Sequence, residues 1–121
     1  MKEHFLTYEQ SLAVKELGFN EPCFGYWKMR DWLVEEKTRT DGYTHADQEC
    51  SAPLKSQFFK WVRDKGYKFN ILNDVCELNG LYYFDAWLSG QVLCETDYIF
   101  ETYEQAEDAC INKIIELIKN K

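Results

Sequence analysis

The 121-residue sequence contains neither of the glycine-rich phosphate loops, GxxxxGK[ST] and GxGxxG, that are typical of many nucleotide-binding proteins. It has no CxxC pair among its five cysteines and only two histidines. No apolar run approaches the ~20 residues of a membrane-spanning helix, and Met1–Phe5 lacks the apolar core of a signal peptide. We therefore expect a cytoplasmic protein with reduced thiols, no membrane segment and no strong catalytic signature.

The sequence also has no excess of positive charge. It contains 14 Lys and Arg residues and 21 Asp and Glu residues, so its net charge is −7 at pH 7. Broad, phosphate-driven binding of nucleic acid needs a cationic surface, so we do not expect a nucleic-acid-binding protein. What the sequence does contain is globular in character, with 17% aromatic and 29% charged residues. Its length predicts one domain that covers residues 1–121.

The tetrapeptide TYEQ occurs twice, at residues 7–10 and 102–105. In each copy a Thr precedes a Gln by three residues, which is the capping-box pattern of a helix start. We therefore predict helices over Tyr8–Leu17 and Tyr103–Ile118. The sequences after the two copies differ, so no internal repeat is predicted. The apolar stripe of the first helix is predicted to consist of Ala13, Val14 and Leu17.

A third helix is predicted in the middle of the chain, where Ser51 is a suitable N-cap, Pro53 fits the first turn and Gly66 ends the helical pattern. The order α-ββ-α-βββ-α predicts an α+β fold with an antiparallel sheet packed against helices. The strands are predicted over Cys23–Met29, Trp32–Glu35, Tyr67–Val75, Leu81–Leu88 and Gln91–Thr96, with turns at Arg30-Asp31, Asn79-Gly80 and Ser89-Gly90 and a polar loop over Lys37–Glu49.

Three segments resemble a group of small uncharacterised proteins of Bacteroidales bacteria and their phages or mobile elements: FLTYEQSLAVKELGFNEPCFGYW, SAPLKSQFFKWVRDK and FETYEQAEDACINKIIELIK. These segments contain helix starts, core positions and a basic-aromatic helix, but no catalytic motif. The resemblance implies an accessory protein of a phage or mobile element, a class whose members often bind host factors or defence signals. It assigns no role to any single residue.

Positive charge is concentrated between Lys55 and Phe69, where Asp64 is the single acid. Ammonium and guanidinium groups satisfy phosphate oxygens, and neighbouring aromatic rings can stack on a base. The alternative interpretation is that the apolar residues of this segment are core and that its cations are solvated or paired with acids.

A strand over Gly25–Arg30 places a Tyr-Lys-Arg strip on one of its faces. Such a strip suits a nucleotide or an acidic peptide, although an ordinary solvent-exposed face has the same pattern. An anion pocket results if the strip converges with the central helix. The predicted ligand-binding residues are therefore Tyr26, Lys28, Arg30, Lys60 and Arg63.

Every charged residue between Asn70 and Asn112 is acidic. An acidic strand with aromatic anchors suits a basic surface of a partner protein. Asp85 and Glu95 can also face each other across adjacent strands, as acid–base pairs do in some enzymes, although an acidic outer sheet face explains the same pattern. A small sheet with many aromatics also favours a homodimer. The predicted protein-interface residues are Tyr83, Asp85 and Trp87.

Potential metal donors occur in HADQEC, at His45, Asp47, Glu49 and Cys50. Zinc usually requires a second pair of ligands at suitable spacing, and the sequence offers none. We interpret the segment as a polar loop and predict no metal, no cofactor and no catalytic residue.

Together these features predict a non-enzymatic accessory protein that binds and neutralises a host defence component, either a host protein or a small nucleotide signal. The first alternative is a small enzyme that acts on a nucleotide through acidic residues. The second is a structural or assembly protein without a ligand.

Overall fold

The computed structural model describes residues 4–29, 32–40, 50–73, 81–96 and 100–120. The chain divides into two compact units, Met1–Trp61 and Val62–Lys121. The α+β class predicted from the sequence is confirmed. In chain order, the described elements are α1 (Tyr8–Glu16), β1 (Cys23–Met29), β2 (Trp32–Thr40), β3 (Cys50–Ser51), α2 (Lys55–Asp64), β4 (Tyr67–Asn73), β5 (Tyr82–Leu88), β6 (Gln91–Glu95) and α3 (Tyr103–Lys119).

The strands form two antiparallel sheets, with the orders β2-β1-β3 and β4-β5-β6. The first sheet belongs to the first unit and the second sheet to the second unit. β3 is a short strand that the sequence pattern does not predict, because it is defined by its pairing with the distant β1. The predicted element order is otherwise confirmed, and the single domain over residues 1–121 stays a prediction.

Both TYEQ copies start helices, but they do so with different hydrogen bonds. Before α1, Thr7 Oγ1 accepts from the Gln10 N–H (3.1 Å) and Gln10 Oε1 accepts from the Thr7 N–H (3.0 Å), which completes the capping box. Before α3, Thr102 Oγ1 accepts from the Gln105 N–H (3.1 Å), whereas Gln105 Oε1 accepts from the Glu101 N–H (2.9 Å). The two threonines differ in φ, −65° against −129°, which turns their own N–H groups in different directions.

α1 buries a more polar face than the predicted stripe of Ala13, Val14 and Leu17. Val14 is fully buried, but its buried neighbours on the helix are Gln10 and Ser11. Ala13 and Leu17 are only partly buried. Burial of Gln10 is tolerated because its side chain satisfies a backbone donor at the cap.

The predicted start of the middle helix is wrong, because Ser51 lies in β3 and α2 begins at Lys55. The ladder with β1 keeps the chain extended at Ser51, three residues before Leu54, which directly precedes the helix. Gln57 supplies the cap instead: its Oε1 accepts from the Leu54 N–H at 3.0 Å. Its Nε2 donates to the Pro22 carbonyl oxygen at 2.7 Å, which fastens the helix start to the segment before β1.

Two predicted chain reversals have left-handed backbone, and each contains a glycine, the residue that adopts this conformation most readily. Gly66, with φ 97°, follows α2 and donates its N–H to the Arg63 carbonyl oxygen at 2.9 Å. Ser89 and Gly90 have φ values of 53° and 83° and join β5 to β6, as expected for a two-residue hairpin turn with positive φ at both positions.

The core of the first unit surrounds Trp27 of β1. This side chain is 2% exposed, and its Nε1–H donates to the Leu6 carbonyl oxygen at 3.1 Å. Phe5 and Ala52 belong to the same buried cluster. Because the indole N–H is satisfied, the tryptophan contributes its apolar area without the penalty of an unmet donor.

β2 extends through Thr40, beyond its predicted end at Glu35. Thr40 pairs with Cys23 of β1, so backbone pairing overrides the polar composition of this segment. The predicted loop therefore begins later than Lys37. Outside the described residues lie the Arg30-Asp31 and Asn79-Gly80 turns and residues 41–49 of the loop.

The sheet of the second unit has two unlike faces. Along β4, exposed residues alternate with more buried ones, and Lys68, Asn70 and Leu72 lie on the exposed side. α3 packs against β4 and β5 and covers the other side, which contains the buried Phe84 and Ala86. The residues that α3 buries are Ala106, Cys110, Ile111, Ile114 and Ile115.

Candidate functional site

A hollow of about 520 Å³ lies in the second unit. Arg63 comes from the end of α2, Lys68, Phe69 and Asn70 come from β4, and Trp87 comes from β5. The antiparallel register sets Lys68 directly opposite Trp87, which brings these two residues together. The volume lies within the range of about 300–1,000 Å³ that is usual for small-molecule sites.

Two of the lining residues are cations without a carboxylate partner in the part of the chain that the structure describes. Arg63 and Lys68 are both exposed, and neither forms a salt bridge there. The guanidinium carbon of Arg63 lies 5.8 Å from the centroid of the Phe69 ring, and this cation–π contact holds the guanidinium beside the hollow. Both charges are therefore available to an anionic ligand, which arginine can bind through two parallel N–H bonds.

The indole of Trp87 contains an unsatisfied donor. Its Nε1 is buried and has no hydrogen-bond partner among the described residues. An indole N–H can only donate, and a buried donor without an acceptor costs about 1–3 kcal/mol.

Asn70 is oriented by its neighbour across the sheet. It lies opposite Asp85, and its Nδ2–H donates to Asp85 Oδ1 at 2.9 Å. A carboxylate oxygen accepts hydrogen bonds, so the amide must direct its NH₂ group at Asp85. The carbonyl oxygen of Asn70 is then left as an acceptor in a hollow that Arg63 and Lys68 also line.

Asp85 and Glu95 face each other across β5 and β6, in agreement with the predicted pairing. Asp85 is 8% exposed, whereas Glu95 is exposed. The pair is therefore not a simple outer acidic face. The bond from Asn70 satisfies one oxygen of the Asp85 side chain.

Among the residues predicted to bind a ligand, Arg63 lines the hollow. Tyr26 and Lys28 lie on β1 of the first unit, where Lys28 Nζ is 4.7 Å from the centroid of a tryptophan ring of β2. Lys60 is exposed on the part of α2 that belongs to the first unit. Arg30 lies outside the described residues. The anion pocket predicted from all five residues stays a prediction.

The sequence pattern does not predict the other lining residues as ligand contacts. Lys68 and Phe69 belong to the basic-aromatic segment, Lys55–Phe69. This segment continues past Gly66 into β4, and that continuation is the sequence feature that could have indicated a ligand contact at these two residues. Asn70 and Trp87 carry no comparable signal. Their place in the hollow depends on the register between β4 and β5, which residue spacing alone does not reveal.

The residues predicted to contact a partner protein lie on β5. Tyr83 and Trp87 are half-buried, and Asp85 is buried. Only the two rings therefore present appreciable surface to a partner, and Trp87 also lines the hollow. The interface role of the three residues stays a prediction.

Two of the described thiols are poorly suited to nucleophilic chemistry. Burial raises the pKa of Cys110 to about 12, with smaller contributions from Cys94 and two nearby acids. Burial also raises the pKa of Cys50, against the opposing effect of Lys15. Because the thiolate is the reactive form, both groups are poor nucleophiles at neutral pH.

The predicted polar loop contains His45, Asp47 and Glu49, which lie outside the described residues. Within residues 4–29, 32–40, 50–73, 81–96 and 100–120, no three His, Cys, Asp or Glu side chains are grouped to hold a metal ion. None of the helices in these ranges combines the length and the apolar character needed to cross a bilayer.

No family model, curated protein or solved structure matches this chain. The resemblance to small proteins of Bacteroidales bacteria and their phages therefore stays a prediction.

Proposed function

We propose that this protein binds a small nucleotide in the hollow lined by Arg63, Lys68, Phe69, Asn70 and Trp87 and does not transform it. The proposal rests on the two cations that have no carboxylate partner in the described part of the chain and that lie beside aromatic rings. Phosphate oxygens would accept from the guanidinium and ammonium groups, and the base would stack on a ring. Stacking of this kind contributes about 1–3 kcal/mol per base.

Binding without turnover is favoured because Asp85 and Cys110 of the second unit are poorly placed to act as catalytic groups. One oxygen of Asp85 is engaged by Asn70, and the carboxylate is largely withdrawn from solvent. The Cys110 thiol, with its pKa at about 12, remains protonated at neutral pH. The Asp85–Glu95 pairing supports the enzymatic alternative, because paired carboxylates can divide acid and base roles.

The biological role we propose is that of a phage or mobile-element accessory protein that sequesters a nucleotide signal of host defence in the bacterial cytoplasm. The sequence resemblance described above and the size and charge of the hollow support this role. Two other outcomes are open to test: neutralisation of a host protein through the rings of Tyr83 and Trp87, and a structural role without a ligand.

Thermal unfolding in the presence of a nucleotide panel tests the proposal. A ligand that binds only the folded protein stabilises it by RT ln(1 + [L]/Kd), which is about 2.7 kcal/mol at a hundredfold excess over Kd. We expect at least one nucleotide to raise Tm and to be recovered chemically unchanged. Recovery of a converted nucleotide would identify an enzyme. Absence of a shift with every nucleotide would overturn the proposal.

Single substitutions then locate the site. Arg63→Ala and Lys68→Ala should each weaken nucleotide binding roughly tenfold or more, because hydrogen bonds to charged groups contribute about 1.5–3 kcal/mol. Lys113→Ala is the matched control, since this cation lies on α3 and forms only a 3.5 Å surface ion pair with Glu116, which contributes little. An equal loss in all three variants would indicate general attraction by net charge and not a site in the hollow.

A further inference from the structure

The exposed side of the β4-β5-β6 sheet changes its charge between two neighbouring cross-strand rows. Lys68 lies opposite Trp87 in a first, cationic row, and Asn70, Asp85 and Glu95 follow one another across the strands in a second, acidic row. The two rows are two residues apart along β4, about 7 Å at 3.3–3.4 Å per residue. Because Lys68, Trp87 and Asn70 line the hollow, the hollow extends from the cationic row to the acidic row.

At the acidic row, the hollow has an acceptor from Asn70. Among the described residues, the side chain of Asn70 has no hydrogen-bond partner other than Asp85. Its NH₂ group is directed at that carboxylate, so its Oδ1 atom remains as an acceptor for a ligand. The charged side chains of the hollow, Arg63 and Lys68, can only donate. The hollow therefore offers donors at one end and an acceptor at the other.

We propose that the base of the bound nucleotide carries an exocyclic amino group, as adenine, cytosine and guanine do, and that this group donates to Asn70 Oδ1. This inference rests on the proposed function, since it concerns the base of the ligand in the same hollow. The phosphates lie at Arg63 and Lys68 and away from the acidic row, because like charges repel. The base is uncharged, so it is the part of a nucleotide that the acidic row accepts.

Asp85 is the residue that makes Asn70 selective. An amide that is free to turn offers either a donor or an acceptor, so it does not distinguish an amino group from a ring carbonyl. The carboxylate of Asp85 only accepts, and its side chain is 8% exposed, so it holds the amide of Asn70 in one orientation. Uracil has a carbonyl oxygen where cytosine has its amino group, and this oxygen would face the Asn70 acceptor unfavourably. Asp85 is therefore a positioning residue that acts through Asn70.

Three pairs of ribonucleoside triphosphates test the inference. Adenosine against purine riboside, and guanosine against inosine, differ by the loss of the amino group, whereas uridine has a carbonyl in place of the amino group of cytidine. Isothermal titration calorimetry measures the Kd of each nucleotide. In the pair that contains the tightest ligand, we expect the amino-bearing member to bind about two- to tenfold more tightly, as is usual for one hydrogen bond between neutral groups.

Variants of the Asn70–Asp85 pair then test the cause of the preference. Asn70→Ala removes the acceptor, so the ratio of the two Kd values should fall to about one. Asp85→Asn keeps the shape of the side chain but lets Asn70 turn either group toward the base, so the ratio should also fall toward one. Leu72→Ala is the matched control, because Leu72 lies on the same exposed side of β4 and does not line the hollow; it should keep the wild-type ratio.

The outcomes separate this inference from the proposed function. Equal affinities within the tightest-binding pair, or tighter binding of the member without the amino group, would overturn the inference and leave nucleotide binding in place. A preference that persists in Asn70→Ala would also overturn it, because the amino group would then be recognised elsewhere. If no nucleotide binds at all, the proposed function and this inference fail together. Circular dichroism checks that every variant is folded.

Discussion

The side-chain amide of Asn70 donates to Asp85 Oδ1 over 2.9 Å, and the two residues lie directly opposite each other in the β4–β5 ladder. Because Asp85 is buried, this bond replaces a contact with water that the carboxylate has lost. The same bond fixes which atoms of Asn70 are presented to the hollow. The β4–β5 register, by placing Asn70 opposite Asp85, therefore determines which polar atom of Asn70 is available to a ligand.

Asn70→Ala should lower the free energy of unfolding by about 1.5–3 kcal/mol, because it removes a donor from a buried carboxylate. Urea unfolding measures the loss. Leu72→Ala is the control, since Leu72 lies on the same exposed side of β4, and we expect a change within about 0.5 kcal/mol. A loss at Asn70 no larger than that at Leu72 would show that the bond contributes no net stability.

The two helix caps should differ in strength although their residues are the same. Thr7→Ala breaks a complete and partly buried capping box and should cost about 1–2 kcal/mol. Thr102→Ala breaks a single bond to an exposed cap and should cost about 0.5–1 kcal/mol. Paired denaturation curves of the two variants test the order. A larger loss at Thr102 would contradict this account of the caps.

Trp27→Phe should destabilise the first unit by about 1–3 kcal/mol, because the buried Leu6 carbonyl oxygen loses its indole donor. Trp32→Phe is a matched control at an exposed tryptophan, 51% accessible, whose ring lies under Lys28. Phenylalanine keeps a ring for the cation there, so the control should change stability by less than about 1 kcal/mol. Chemical denaturation followed by far-ultraviolet circular dichroism compares them without relying on tryptophan emission.

The Cys110 thiol should make stability depend on alkaline pH. Burial raises its pKa from an ordinary value of 9.0 to about 12, so the folded protein holds the thiol proton more tightly than the unfolded chain does. This stabilisation is complete below pH 9 and is lost progressively as the pH rises toward 12, by at most about 1.4 kcal/mol per pH unit. Cys110→Ala should therefore show a shallower decline above pH 9. Identical slopes in the two proteins would exclude the effect.

The parts of the fold that can be predicted from the sequence are those set by local signals. The capping pattern of TYEQ acts within four residues, and the turn at Ser89-Gly90 is marked by a glycine, which adopts positive φ readily. The start of α2, in contrast, is not determined by local signals alone. Ser51 has the chemistry of a cap, but a ladder with β1, far away in sequence, holds it in a strand.

The lining of the hollow, too, can be predicted from the sequence only where it depends on local signals. The basic-aromatic segment indicates that cations and rings occur together, and Arg63 is one of the residues it marks. The partners that complete the lining, Asn70 and Trp87, are brought there by a strand pairing whose register is not visible in residue spacing. The burial of Asp85 is also unpredicted, because an acid on an alternating strand is usually exposed.

Apart from the short β3, each described strand pairs with its neighbour along the chain: β1 with β2, β4 with β5, and β5 with β6. Hairpins of this kind close short loops, so little chain entropy is lost before the first contacts form. Proteins dominated by such sequence-local contacts fold faster than those that must join distant strands. We therefore expect the β5–β6 hairpin to form early, and the chain to expose its aromatic segments only briefly during synthesis.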